Sequence, residues 1–177
     1  MGASDPWLEL LDDGRAREAS AARSRERWLR AAAAEDATLA GTLLDLAEAG
    51  TEVTVTTETG RSHRGRVALV GDDVVVLRPA SGPVVVLALA AVAALRPAER
   101  RSGGGRVVPN GPNLLDVLAS LTIGEAVLLT TRGGGTVRGL VDAIGADVVH
   151  VRGDDETERS CYVSARSICE VLVLRSG

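Results

Sequence analysis

Apolar residues recur along this chain with two different periods. Leu39, Leu43, Leu46 and Ala47 fall on one face at helical spacing, and Gly50 stands where such a helix stops. Beyond it the period drops to two: Val53 and Val55 alternate with Thr54 and Thr56, the pattern of a half-buried strand. Thr59-Gly60 makes a turn into a second strand over 64–70, where Gly65 permits a sharp bend or bulge. Gly71-Asp72-Asp73 turns into a strand at 74–77, Pro79-Ala80-Ser81-Gly82 into one at 84–89, and 92–95 closes the set. One helix followed by five short strands, with no helix-length connection between them, predicts a small closed barrel rather than a parallel sheet.

The pattern then runs again. Arg64-Gly65-Arg66-Val67-Ala68-Leu69-Val70-Gly71-Asp72-Asp73-Val74-Val75 is answered 74 positions later by Arg138-Gly139-Leu140-Val141-Asp142-Ala143-Ile144-Gly145-Ala146-Asp147-Val148-Val149. Leu43-Leu44-Asp45 is echoed by Leu114-Leu115-Asp116, and Val92 and Leu95 fall opposite Ile168 and Val171. Strands are expected at 126–131, 137–144, 148–151, 159–163 and 168–174. A repeat of this length is one folding unit used twice. The chain therefore divides into a helical, partly disordered arm (1–35), a first barrel with its helix (36–97), a Gly/Pro linker (98–112) and a second barrel with its helix (113–177).

The arm is poorly suited to a core. Between residues 12 and 27 nothing apolar is larger than Ala, so little surface is available to offset chain entropy. Trp7 and Trp28 stand out as candidate anchors for a docking partner.

Composition changes the picture in two ways. There is no Phe, so the core must be built from Val, Leu and Ala; all twenty basic residues are Arg. The Arg, Ala, Gly and Val excess reads as the codon bias of a GC-rich genome, so Arg abundance is not in itself selection for phosphate. Net charge is −4, with six Arg against ten acids in 1–50 and six against nine in 113–177. That balance excludes a strongly basic, general nucleic-acid binder. No apolar run reaches membrane-spanning length and no secretory pattern opens the chain, so a cytoplasmic protein is expected.

Catalytic and metal chemistry find little support. Cys161 and Cys169 lack the close pairing of a zinc site, and His150 replaces Val76 of the first repeat as a core or interface histidine. Ser160, Cys161 and His150 show no legible base or oxyanion arrangement. Asp154-Asp155-Glu156 and Glu158 lack the alternation of a calcium loop, and the triple glycines belong to no phosphate-binding motif. No catalytic residue, metal or cofactor is expected. Arg61, His63, Arg64, Arg66 and Arg78 form the one basic concentration, offset by Glu58, Asp72 and Asp73.

A helix followed by five short bent strands, with Gly65/Gly139 in the second strand and Asp73/Asp147 in the following turn, resembles the Sm-like (LSm, Hfq-like) barrel. The layout of an Arg/Glu/Ala arm ahead of a valine-rich barrel also resembles uncharacterised proteins of GC-rich actinobacteria. The resemblance implies two tandem barrels in a mainly β protein with some α, and an RNA pocket lined by a second-strand aromatic and an Asn after the third-strand acid. His63 and Val137 stand nearest the first position, and Val-Val-Val-Leu and Val-Val-His-Val follow the acids. The stacking contribution of about 1–3 kcal/mol per base is therefore missing.

Residues 74–77 and 84–89 are apolar on both strand faces, which one barrel interior cannot bury. A non-enzymatic interaction or assembly module is expected, working through barrel packing and the arm, with a protein partner or another copy of itself and no membrane. The alternative is an Sm-like RNA binder using Arg61, His63, Arg64, Arg66, Arg78 and Arg138.

Overall fold

The hydroxyl of Thr38 accepts from the Gly41 N–H at 3.0 Å and starts a helix that buries Leu43 and Leu46. The computed structural model describes residues 18, 20–29, 31, 35–99, 110–153 and 160–174. Helix α1 includes residues 20–29, and α2, begun by Thr38, spans Leu39–Glu48. Trp7, the glycines at 103–105 and the acidic loop at 154–158 lie outside the described residues.

Five strands follow: β1 (Glu52–Thr57), β2 (Ser62–Val70), β3 (Val74–Arg78), β4 (Val84–Ala88) and, after a single 3-10 turn, β5 (Val92–Pro97). The second half repeats them. Helix α3 (Leu114–Ala119) opens with a capping box, Asn113 and Asp116 each accepting from the other's backbone N–H at 3.0 Å. Strands β6 (Ala126–Thr131), β7 (Thr136–Ile144), β8 (Val148–Arg152), β9 (Cys161–Ser164) and β10 (Ile168–Leu174) complete it. Both halves carry the same bulges, between Val67 and Leu69 and between Val141 and Ala143. Both glycines allow a close crossing: a Cβ on Gly65 meets the Arg78 carbonyl at 2.8 Å, and one on Gly139 meets the Arg152 carbonyl at 2.1 Å.

The described residues are mainly β, with ten antiparallel strands in one sheet of order β5-β1-β2-β3-β4-β10-β6-β7-β8-β9. The expectation of two closed barrels is corrected here. Within each half the last strand returns to the first, β5 to β1 and β10 to β6, but β4 does not meet β5 and β9 does not meet β10. The opening in the first half is filled by β10 of the second. The physical reason lies in the double-faced apolarity of β3 and β4. Val75, Leu77, Val85 and Leu87 pack inward with α2, whereas Val74, Val86, Ala88 and Ala91 belong to the core of the second half. Fully burying such a valine is worth about 1.5–3 kcal/mol, and closing each half on itself leaves that face in water.

Candidate interaction surface

The sheet is held together at its centre by one antiparallel junction. Leu87, Val86, Val85 and Val84 of β4 face Glu170, Val171, Leu172 and Val173 of β10. In the repeat, β10 is to the second half what β5 is to the first, and β4 corresponds to β9. The inner junction therefore joins one edge of each kind. The two outermost strands are the same two kinds again: among the described residues, β5 has only β1 as a strand neighbour and β9 only β8.

Polar contacts tie the inner junction. Glu170 is fully buried, with His63 Nε2 at 2.6 Å from one carboxylate oxygen and Arg61 Nε at 2.9 Å from the other. The Arg61 contact is ionic rather than an aligned hydrogen bond, since neither atom makes one. At the rim Arg132 Nη1 reaches Glu58 at 3.1 Å. The linker end is fastened as well: the Gly111 and Leu114 N–H groups donate to the carboxylates of Asp72 and Asp73 at 3.0 and 2.6 Å.

The outer edges differ from the inner ones. On β5 the Ala98 N–H donates to the Glu52 carbonyl at 2.8 Å, so by strand alternation the nitrogen of Pro97 faces the open side. A proline there removes one donor from an exposed edge. On β9, Tyr162 is 71% exposed and stacks on His150 with centroids 4.4 Å apart and planes 6° from parallel. His150 Nδ1 lies 2.8 Å from Asp142, which orients the ring. The corresponding residue to Tyr162 in the first half is Val86, 2% exposed under the second half.

The structure separates the basic residues that the chain groups in sequence. Arg61 and His63 face Glu170 at the junction. Arg64 bonds Glu52 at 2.7 Å; that bond lowers the Glu52 carboxyl pKa and raises that of the guanidinium. Arg66 and Arg78 sit directly opposite each other on β2 and β3, both exposed, beside a groove of about 480 Å³ lined by Glu52, Gly65 and Pro79. Arg138, the repeat counterpart of Arg64, lies on β7 opposite Leu128 and has a polar partner of its own. Trp28 is 69% exposed on α1.

Cys169 is buried, and desolvation raises its thiol pKa; Cys161 is half-buried and both cysteines are free. Among the described residues no group of three or more His, Cys, Asp or Glu is placed to hold a metal, and no helix is long and apolar enough to cross a membrane.

Glu170 and Tyr162 are the two residues that sequence reasoning passed over. A signal for Glu170 was present: it is the one charge inside the run Ile168-Cys169-Glu170-Val171-Leu172-Val173, at a position the first repeat fills with Ala94. No protein-family model matches the chain, and no curated protein matches it either.

Proposed function

We propose that this chain is a non-enzymatic assembly module, two Sm-like units in tandem, that binds a second copy of itself through the outer strands β5 and β9. One observation carries the reading: the β4–β10 junction already joins the repeat counterparts of those two edges. Moving that register to the outer strands sets Ala94 opposite Val163, Leu95 opposite Tyr162 and Arg96 opposite Cys161. Leu95 is half-buried and meets the exposed face of the Tyr162–His150 stack. The rim charges agree with this pairing. Glu58 and Arg132 are repeat counterparts of opposite sign, so a copy docked head to tail again sets an acid against an arginine.

The contact is heterologous, and such contacts build rings when the rotation closes. Pro97 leaves it one donor short of the inner junction, so association is reversible rather than permanent. Sedimentation over a concentration series tests the proposal. The mass should climb in whole multiples of 18.3 kDa, and Leu95→Arg or Tyr162→Arg should return it toward a single chain. A chain of constant single mass up to high concentration refutes it.

A second reading, an Sm-like RNA binder, is favoured by the opposed Arg66 and Arg78. Like charges directly across a strand pair repel, and a bound phosphate relieves them. Oligonucleotide affinity that falls steeply with salt and is lost in Arg64→Ala/Arg66→Ala supports this reading; no binding at low salt removes it.

A further inference from the structure

The inner and outer junctions share one geometry but not one chemistry. The inner one encloses a carboxylate, Glu170, that is wholly removed from water and touched by two groups of the other half, His63 Nε2 at 2.6 Å and Arg61 Nε at 2.9 Å. The repeat states what occupies these positions elsewhere. Glu170 corresponds to Ala94 on β5, and Arg61 and His63 correspond to Gly135 and Val137 beside β9. Every member of this set is replaced by a residue with no ionisable side chain, on both sides of the outer junction together.

We propose that Arg61, His63 and Glu170 act as one strand-selection element, which seats β10 on β4 and refuses the exchanged pairings. Four pairings are open to two edges of each kind. Placing β10 against β9 buries the Glu170 carboxylate opposite Gly135 and Val137, where no cation compensates it. Placing β5 against β4 leaves Arg61 and His63 facing the methyl group of Ala94. Both exchanges strand a buried or half-buried charged group, which costs far more than the lost attraction alone. The two remaining pairings, β10 with β4 and β5 with β9, match charge with charge and apolar with apolar. The halves therefore join in one order, and further copies meet only through their outer edges. That last consequence rests on the edge-pairing reading above; the action of the three groups as a unit does not.

Two arms test the proposal separately, both on the full chain. In the first, unfolding midpoints are measured for Glu170→Ala, for Arg61→Ala/His63→Val, and for the triple variant. Each partial variant should lose stability, and the triple should recover at least half of the loss of the worse one, because no charge is then stranded. Losses that simply add in the triple variant overturn the proposal. Should Glu170→Ala fail to fold, Glu170→Gln replaces it in the cycle, with the same expectation.

The second arm builds the element at the outer junction. Ala94→Glu alone should weaken self-association at least tenfold. Adding Gly135→Arg and Val137→His should restore it to within about threefold of the wild-type chain. A position-135 side chain is tolerable, since a Cβ there approaches only the Thr131 hydroxyl, at 3.3 Å. Association unchanged by Ala94→Glu in a wild-type chain that does associate overturns selection at the edges. If no variant or wild type associates while the first arm shows coupling, the edge-pairing reading has failed and the unit at the inner junction stands.

Discussion

The two halves of the molecule share one plan and treat the same sheet face in opposite ways. On the outer face of β3 and β4 and in the turn beyond, Val74, Val86, Ala88 and Ala91 are covered by the second half. Their counterparts on β8, β9 and the turn beyond are Val148, Tyr162, Ser164 and Ser167, which are exposed or half-buried. The difference teaches that a duplicated fold keeps its interior and rewrites the face that has lost its cover. The second half carries polar atoms where the first is aliphatic. The rewriting is partial: Tyr162 remains a large ring in water, where a simple solvent surface needs none.

The sharpest test of this contrast uses one counterpart pair in the strands themselves. Leu87 is fully buried at the inner junction, and its counterpart Val163 lies under an open edge. Leu87→Ala should cost about 2–5 kcal/mol in urea unfolding, as large-to-small core changes do. Val163 is also buried, at 5% exposure, and its truncation removes two carbons rather than three, so Val163→Ala should cost less; an equal loss would show tighter packing per carbon at the edge than at the centre.

The turn glycines provide the next test. A Cβ on Gly71 falls 2.0 Å from the Pro112 carbonyl, whereas one on the counterpart Gly145 meets the Val148 side chain at 2.9 Å and a backbone oxygen only at 3.5 Å, an ordinary contact. Gly71→Ala must push the linker end off the turn and should cost about 1–3 kcal/mol. Gly145→Ala needs only a side-chain shift and should stay under about 1 kcal/mol. Thermal midpoints of the two variants compare them directly.

Smaller still is the effect of making β9 resemble β4. Tyr162→Val should change folding stability by no more than about 0.5 kcal/mol, as exposed sites do, while altering self-association. A large loss of stability would mean that the stack on His150 is structural rather than part of the outer contact.

The cysteines extend the comparison to reactivity. Cys161 on the open edge should react with a thiol reagent well before Cys169 beneath the junction. Burial raises the Cys169 pKa, so the folded chain holds this proton more tightly than the unfolded chain. Its effect on stability is absent below the ordinary thiol range and becomes destabilising as pH rises through it. Unfolding midpoints should therefore fall slightly more between pH 8 and 10 in the wild-type chain than in Cys169→Ala.

Much of this architecture was legible in the residues. The switch from helical to alternating spacing placed α2, α3 and the strands, and the repeat placed the equivalences between them. Gly65 and Gly139 were read as sites of bending; they sit where a neighbouring strand's backbone crosses within van der Waals contact. Closure was misread, because periodicity reports which faces are buried and not which strand buries them. The basic concentration is divided between the two faces of β2. Arg61 and His63 are near Arg64 and Arg66 in sequence, but alternate residues of β2 point to opposite faces, and only the first two meet Glu170.

Local rules are carried by the chain itself: spacing, turn residues and the doubled pattern follow from side chains a few positions apart. From these the elements, their order and the need of β3 and β4 for a second cover were all determined. Which strand supplies that cover depends on groups far apart in sequence. His63 and Glu170 are 107 positions from each other, and their contact exists only because the halves have met. Nothing within the run names a partner for this carboxylate; the tertiary structure decided it, by setting Arg61 and His63 within reach and removing the water.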